Sequence, residues 1–214
     1  MDYIRKKFLV MRGLRPENIY IDSNGYPKLA GFGWSKKIRG VTSTRIGGMD
    51  FTAPECLVGH EHDATADVWS LGAIIYNLAT GSVPFTNATK EKRNAKEAGT
   101  ADVMMTYSLM RKGLVGFPIA LPVKMQNLIR QCMDPFPDQR ITYGDPDMKD
   151  IIKHTWFKEF QWDQLEEGLL EAPWVPFVEG PEDLQNFTKV PAKEKVVKWS
   201  EADEAVSAWE PDFW

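Results

Sequence analysis

Histidine and cysteine, the side chains most often used for metal binding and nucleophilic catalysis, are scarce in this chain of 214 residues. Two of the three histidines, His60 and His62, are separated by one residue. Residues at this spacing share a face only in a strand, whereas this pair follows Gly59 in a predicted loop. The two cysteines, Cys56 and Cys132, form no CxxC or Cys/His spacing. We therefore predict no metal site and two reduced, partly buried thiols.

A second group of residues carries the functional signal, because short strings recur in a fixed order. The strings are Met11-Arg12-Gly13-Leu14-Arg15-Pro16-Glu17-Asn18, Gly31-Phe32-Gly33, Ala53-Pro54-Glu55, Asp67-Val68-Trp69-Ser70-Leu71-Gly72 and Asp138-Gln139-Arg140. Each string alone is a weak signal. In this order they resemble the C-terminal lobe of a protein kinase, from the catalytic loop to the end of the domain.

The last quarter of the chain narrows the resemblance to the cyclic-nucleotide-dependent kinases of the AGC group, above all the cyclic GMP-dependent kinases. The similar segments are Trp156-Phe157, Phe160-Gln161-Trp162, Asn186-Phe187 and Trp209-Glu210-Pro211-Asp212-Phe213. The resemblance covers essentially the whole chain. It implies a mainly α fold: a kinase-like C-lobe over residues 1–160, with a small β hairpin near the catalytic loop, and an extended tail over residues 161–214.

The chain departs from the resembled family at the positions that perform phosphoryl transfer. Family members use a catalytic-loop Asp to accept the substrate proton, and an Asp and an Asn to hold metal ions. Gly13 stands at the first Asp position and Gly31 at the second, so only Asn18 is retained. Arg15 replaces the phosphate-contacting lysine, keeping its charge but not its shape. These four positions are therefore expected to be degenerate, with no catalytic residue among them.

The resemblance also implies that other parts of an ATP site belong to an N-terminal lobe. The glycine-rich phosphate loop, the strand lysine and its glutamate partner would precede residue 1, and we expect this chain to lack them. Tyr20 stands where the family places a smaller aliphatic residue beneath the adenine, so its ring is expected to obstruct that position. We therefore expect no ATP, no magnesium and no catalysis by this chain.

Residues that maintain the kinase fold are retained, in contrast to the catalytic ones. The resemblance implies a buried ion pair between Glu55 and Arg140, which ties the activation segment to the lobe. It also implies that Asp67 braces the catalytic-loop backbone. The other retained positions are Arg12 and Phe32 of the kinase motifs and the core residues Trp69, Leu71 and Ile75.

A possible phosphorylation site is also implied by the resemblance. Arg12, Lys36 and Thr44 match the arginine, lysine and acceptor threonine that order the activation segment in the family. Phosphorylation of Thr44 could therefore order residues 33–50. The competing interpretation is that Thr44 is an ordinary exposed hydroxyl. Glu17, which contacts basic substrate residues in the family, is either retained for that contact or is a solvated carboxylate.

Charge and composition exclude several classes of protein. Hydrophobic residues make up 43% and charged residues 26%, with a net charge of −4, which argues against a nucleic-acid-binding surface over the whole chain. No apolar run approaches the ~20 residues that span a bilayer, so we predict no membrane segment. Residues 1–50 carry ten basic and four acidic side chains, and residues 159–214 carry four and fourteen. These charged ends could contact each other, contact partners, or be solvated.

Hydrophobic periodicity places the helices. Apolar residues three and four apart predict a helix over 66–78 that is buried on most sides. Further helices are predicted over 103–112, 123–133 and 147–154, and an exposed helix or loop over 87–101. These segments support the mainly α prediction.

The remaining segments are predicted to be short and irregular. Residues 1–10 end a helix or form a short extended piece. The β-prone runs Ile19–Ile21 and Tyr26–Leu29 flank Asp22-Ser23-Asn24-Gly25 and predict a hairpin. Residues 33–50, rich in Gly, Ser and Thr, predict a loop whose length suggests a function.

The tail over residues 161–214 is unusual because it is rich in prolines and acids yet holds five of the eight tryptophans. We predict that Trp209, Phe213 and Trp214 bind another protein subunit. The face that an N-lobe would cover is a second predicted partner surface. No nucleic-acid or membrane partner is predicted.

The sequence thus favours a catalytically inactive pseudokinase lobe that acts as a structural or binding subunit of a larger assembly. Two alternatives stay open: a kinase completed in trans by another polypeptide, or a fragment of a longer cyclic-nucleotide-dependent serine/threonine kinase. A cytoplasmic location is expected, with the cytoskeleton or cilium suggested by where cyclic-nucleotide kinases signal.

Overall fold

A computed structural model of the chain describes residues 1–44, 48, 50–85, 100–113, 115–144, 147–180 and 182–187. The chain divides into two compact units, residues 1–175 and 176–214. The helices of the first unit are α1 (Asp2–Lys6), α2 (Pro54–Val58), α3 (Thr65–Thr80), α4 (Thr100–Arg111), α5 (Val123–Cys132), α6 (Lys149–Ile152) and α7 (Trp162–Glu166). Its short strands are β1 (Leu9–Val10), β2 (Ile19–Ile21), β3 (Pro27–Leu29) and β4 (Lys36–Lys37). The prediction of a mainly α fold with a small hairpin is confirmed.

Helix α3 forms the centre of the core. Val68, Trp69 and Ala73 are fully buried in it and pack with Leu128 and Ile129 of α5. Burial on almost all sides explains why α3 is hydrophobic around most of its circumference. The predicted helix is therefore confirmed, with a slightly longer extent at both ends.

The close approach of α3 to α5 depends on Gly72. A Cβ atom at this position would lie 2.6 Å from Cβ of Cys132 and 2.7 Å from Cγ of Met133. Both distances are shorter than a non-bonded carbon contact, so only glycine fits between the two helices. The tryptophan beside this contact, Trp69, stacks on Phe85 with ring centroids 5.9 Å apart.

The predicted hairpin is present. Strands β2 and β3 pair antiparallel, with Ile19 opposite Leu29 and Ile21 opposite Pro27. The turn is held by Asp22, whose Oδ1 accepts hydrogen bonds from the backbone N–H groups of Asn24 and Tyr26 at 2.9 Å. Such an Asx turn matches the chemistry of the Asp-Ser-Asn-Gly sequence.

The segment predicted as a loop, residues 33–50, contains regular structure that periodicity could not reveal. Strand β4 pairs antiparallel with β1, with Leu9 opposite Lys37 and Val10 opposite Lys36. A 3₁₀ turn over Phe32–Trp34 precedes it. A strand of two residues is too short to show an alternating pattern, so the loop prediction was wrong at these positions.

Other boundaries also differ from the predictions. Helix α2 was not predicted, and α7 begins the segment that was expected to be extended. The helix expected over 147–154 is limited to α6 and followed by a 3₁₀ turn over Thr155–Phe157. The exposed helix or loop expected over 87–101 lies almost wholly outside the described residues. None of the helices in the described part of the chain is long and apolar enough to cross a bilayer.

The second unit has local turns in its described residues. Asp183 accepts backbone hydrogen bonds from Glu179 and Gln185 through its two carboxylate oxygens. These bonds hold the pKa of Asp183 below its ordinary value. Asn186 Nδ2 donates to the carbonyl oxygen of Phe177 at 2.9 Å. Residues 161–175, predicted as part of the tail, belong to the first unit.

Candidate functional site

The segment matching a kinase catalytic loop follows β1 and is held by one carboxylate of α3. Asp67 accepts the backbone N–H of Met11 at Oδ2 (2.7 Å) and that of Arg12 at Oδ1 (2.8 Å). Arg12 has a left-handed backbone, with φ of 59°, which is uncommon outside glycine. Burial of Asp67 raises its pKa to about 6, although the two N–H donors oppose this shift. The structure therefore places Asp67 where the sequence predicted a brace for this loop.

The positions of the two expected aspartates, Gly13 and Gly31, lie on either side of Asn18. Asn18 Nδ2 donates to the carbonyl oxygen of Gly13 at 2.7 Å. Gly31 has φ of +73°, and a Cβ atom there would lie 2.3 Å from Cγ of Asn18. Any side chain at Gly31 would therefore require both a strained backbone and displacement of the Asn18 amide. Asn18 acts here as a structural link between the two segments.

Gly13 has a different environment. A Cβ atom at Gly13 would lie 3.4 Å from Cδ1 of Trp34, close to ordinary van der Waals contact. Arg12 Nε donates to the carbonyl oxygen of Trp34 at 2.9 Å, so the 3₁₀ turn is tied to the catalytic-loop segment. Phe32 and Trp34 are 42% and 58% exposed. Two large aromatic rings of this turn therefore face solvent, and that of Trp34 borders the site.

These residues surround a cleft of about 340 Å³. Its lining combines glycines with two cationic side chains, Arg12 and Arg15, and Asn18. Three polar members of the lining, Asp50, Thr52 and Ser70, were not predicted from the sequence. Their contribution depends on packing between distant segments, and no local sequence signal identifies it.

The donor set of the cleft does not fit the magnesium ions that kinases use. Magnesium is held through carboxylates and phosphates in such sites. Asp50 is the one carboxylate in the described lining of the cleft. Across the described residues, no group of three His, Cys, Asp or Glu side chains is arranged to hold a metal ion.

The remaining catalytic-motif side chains are used for other contacts. Arg15 Nε donates to Oε2 of Glu17 at 2.9 Å, and both side chains are largely exposed. This hydrogen bond lowers the pKa of Glu17. Tyr20 lies opposite Lys28 in the hairpin and is 46% exposed. His62, considered above as a ligand, donates from Nδ1 to the carbonyl oxygen of His60 at 3.0 Å.

Glu55 and Arg140 form the ion pair that the resemblance implied. Arg140 Nη1 lies 2.6 Å from Oε1 of Glu55 and Nη2 lies 2.8 Å from Oε2. Arg140 also donates to the carbonyl oxygens of Thr65 and Asp134. Its guanidinium carbon lies 5.2 Å from the centroid of the Trp69 ring. Of the predicted core residues, Trp69 is fully buried, whereas Leu71 and Ile75 are partly buried and pack against the core.

The structure brings the predicted phosphorylation residues only partly together. Lys36 Nζ donates to Oγ1 of Thr42 at 3.0 Å, and that oxygen lies 3.4 Å from Oγ1 of Thr44. Thr42 therefore stands between Lys36 and the exposed Thr44. Arg12 instead contacts the backbone of Trp34. The predicted partner-binding residues Trp209, Phe213 and Trp214 lie outside the described residues.

Comparison with known proteins identifies the family. The family model of the protein kinase domain matches residues 1–157 of this chain. Human cGMP-dependent protein kinase 2 is 34% identical over 99% of this chain and 26% of its own length, and the rat protein of that name is 33% identical over the same shares. The isozyme 1 of Drosophila melanogaster cGMP-dependent protein kinase is 32% identical over 99% of this chain and 26% of its length. The chain spans about a quarter of the length of these relatives. With its catalytic-loop and Gly-Phe-Gly strings placed around one cleft, the chain belongs to the protein kinase domain family and is similar to the cGMP-dependent kinases of the AGC group.

Proposed function

We propose that this chain is a pseudokinase lobe, which does not transfer phosphate and acts as a structural or binding subunit of a larger protein assembly. The observation that carries the proposal is the pair of glycines, Gly13 and Gly31, on the cleft lining. Phosphoryl transfer depends almost wholly on positioned groups and metal ions. Glycine offers no carboxylate to accept the substrate proton or to hold magnesium.

The space around Gly31 supports this proposal further. The Asn18 amide occupies the volume that a Gly31 side chain would need. An aspartate at this position would therefore require the Asn18 amide to move, and this amide also donates to the Gly13 carbonyl oxygen. These features of the cleft argue against the binding of magnesium and against magnesium-dependent binding of ATP.

A binding role is supported by apolar side chains that the lobe leaves in solvent. Trp34 lines the cleft, on the face that the resemblance implies an N-lobe would cover, and both Trp34 and Phe32 of the same 3₁₀ turn are exposed. In the second unit, Phe177 and Leu184 are each 70% exposed. Aromatic side chains dominate many protein interfaces. We propose that partner subunits bind at the cleft face and at the tail, in the cytoplasm.

A second candidate function is favoured by the family itself. The relatives are named cGMP-dependent protein kinases, and this chain matches only about a quarter of their length. In this alternative the chain is part of a serine/threonine kinase, whose other segments complete the ATP site. The glycines at both aspartate positions count against this alternative.

Phosphotransfer with radiolabelled ATP and magnesium, using a mixed peptide library, tests the two proposals. We expect no transfer above a buffer control, and no magnesium-dependent change in binding of a fluorescent ATP analogue. The Asn18→Ala variant serves as the matched control, because a genuine signal from this cleft should be lost with it. Magnesium-dependent transfer that Asn18→Ala abolishes would establish the kinase alternative.

A further inference from the structure

A surface beside the end of α1 carries exposed aromatic rings that lie against cations. Tyr3 is 73% exposed and Phe8 is 51% exposed. Lys7 Nζ lies 5.5 Å from the centroid of the Tyr3 ring, and Arg39 Cζ lies 5.4 Å from that of Phe8. Lys37 is exposed on the adjacent strand β4. We call these five residues the basic–aromatic surface.

The surface is held rigidly by backbone hydrogen bonds. Lys37 lies opposite Leu9 in the β1–β4 pair, and Ile38 N–H donates to the carbonyl oxygen of Phe8 at 2.7 Å. Ile38 is buried, whereas Lys37 and Arg39 on either side of it are exposed. Successive side chains of an extended segment point to opposite faces. Lys37 and Arg39 therefore project to the same face, with Lys37 opposite Leu9 and Arg39 against the Phe8 ring.

The cations of this surface have no carboxylate partner in the described part of the chain. Lys6, their neighbour, shows the contrast, since its ammonium group lies 3.0 Å from Asp2 and 3.3 Å from Asp147. Lys7, Lys37 and Arg39 make no such ion pair among the described residues. Among the described residues, three positive charges without a carboxylate partner thus lie on the two segments that the β1–β4 pairing joins, in a chain whose net charge is −4.

We propose that the basic–aromatic surface binds an acidic protein segment, in which two or three carboxylates flank an aliphatic or aromatic side chain. The carboxylates would pair with Lys7, Lys37 and Arg39, and the apolar side chain would pack on Tyr3 and Phe8. Charge complementarity gives such contacts their specificity, and aromatic and arginine side chains supply much of their energy. This inference stands whether or not the cleft performs catalysis.

Two other anionic partners fit the surface less well. Single-stranded nucleic acid is held through its phosphate backbone by a groove of cations that follows the strand. Nucleic acids and anionic membranes also extend far beyond three cations. The net negative charge of the chain would repel such extended polyanions.

Binding of a fluorescein-labelled copolymer of glutamate and tyrosine to the full chain tests the proposal. We expect the double variant Lys7→Glu/Arg39→Glu to weaken binding by about tenfold or more, since it replaces attraction with repulsion. Lys112→Glu/Lys124→Glu is the charge-matched control, because both lysines are exposed elsewhere. Should charge reversal lower the melting temperature by more than a few degrees, Lys7→Gln/Arg39→Gln replaces it.

The aromatic contribution is tested separately with Phe8→Asn. Phe8 has φ of 58°, and asparagine tolerates this left-handed conformation, so the backbone should keep its course. The variant should weaken binding of the glutamate–tyrosine copolymer but leave binding of polyglutamate unchanged. The proposal is overturned if the Lys112/Lys124 control loses as much affinity as the test variant. It is also overturned if polyuridine RNA or phosphatidylserine vesicles bind these residues more tightly than the copolymer does.

Discussion

Glu55 and Arg140 are separated by 85 residues in sequence, yet they form a buried bidentate ion pair with N–O distances of 2.6 and 2.8 Å. Arg140 is 2% exposed and Glu55 is 7% exposed. The pair ties α2 to the segment that follows α5. Its geometry satisfies both charges, which is the condition under which a buried pair is tolerated.

Removing either partner of this pair should strand a buried charge. We expect Glu55→Ala and Arg140→Ala each to lower the free energy of unfolding by about 3–5 kcal/mol, measured by urea denaturation. The double variant should lose less than the sum of the single effects. Arg15→Ala, which breaks the exposed pair with Glu17, is the control and should cost about 1 kcal/mol or less. Equal losses in all variants would show that Glu55 and Arg140 do not hold the lobe together.

The burial of Asp67 predicts a specific pH dependence. Because its pKa is raised to about 6 in the folded chain, protonation favours the folded state. The stability from this group is fully present below about pH 4 and is lost as pH rises through about 6. The loss should be on the order of 3 kcal/mol, at about 1.4 kcal/mol for each pKa unit.

The variant Asp67→Asn isolates this contribution, because asparagine does not titrate. From pH 4 to pH 7, the free energy of unfolding of the native chain should fall relative to that of the variant. Chemical denaturation at several pH values measures it. A difference that stays constant over this range would contradict the raised pKa.

The crowding at Gly31 predicts that substitution of Gly31 lowers the free energy of unfolding more than substitution of Gly33. Gly31→Ala should lower the free energy of unfolding by about 1–2 kcal/mol from the positive φ alone, and more because Asn18 must move. Gly33→Ala is the matched control, since a Cβ atom there meets nothing within 4 Å. It should change stability by about 0.5 kcal/mol or less. Similar effects of the two substitutions would show that the Asn18 amide readily vacates this space.

A hydrogen bond fastens the segment after α7 to the hairpin. Tyr26 Oη donates to the carbonyl oxygen of Leu170 at 2.6 Å. Tyr26→Phe should cost about 1 kcal/mol and increase proteolytic cleavage after Glu171, measured by limited Glu-C digestion. Tyr143→Phe is the control, because Tyr143 is 56% exposed. Unchanged cleavage in the Tyr26 variant would mean that packing alone holds the segment.

The terminal aromatics predict a partner contact. Deletion of residues 205–214 should abolish co-purification with a partner subunit from native extracts and leave the melting temperature of the lobe unchanged. The physical reason is that Trp209, Phe213 and Trp214 would supply most of the interface energy. A deletion that destabilises the lobe but spares the complex would instead identify an intramolecular role.

The sequence by itself determined the family, the long helices and the catalytic substitutions. Gly13 and Gly31 were recognisable because the surrounding motifs fix the register of the chain. Helix α3 was predictable because its apolar spacing follows the helical period over four turns. The hairpin was predictable because Asp22 and Gly25 favour a turn between β-prone runs.

Only the tertiary structure decided how distant segments meet. The pairing of β1 with β4 joins two strands of two residues each, which are too short to carry a pattern. The inclusion of Asp50, Thr52 and Ser70 in the cleft depends on the path of the chain between helices. The obstruction of Gly31 by Asn18 is a contact between residues 13 positions apart, which no spacing rule predicts. Local propensity acts over a few residues, whereas these contacts depend on how the packed helices and strands place remote backbone segments against one another.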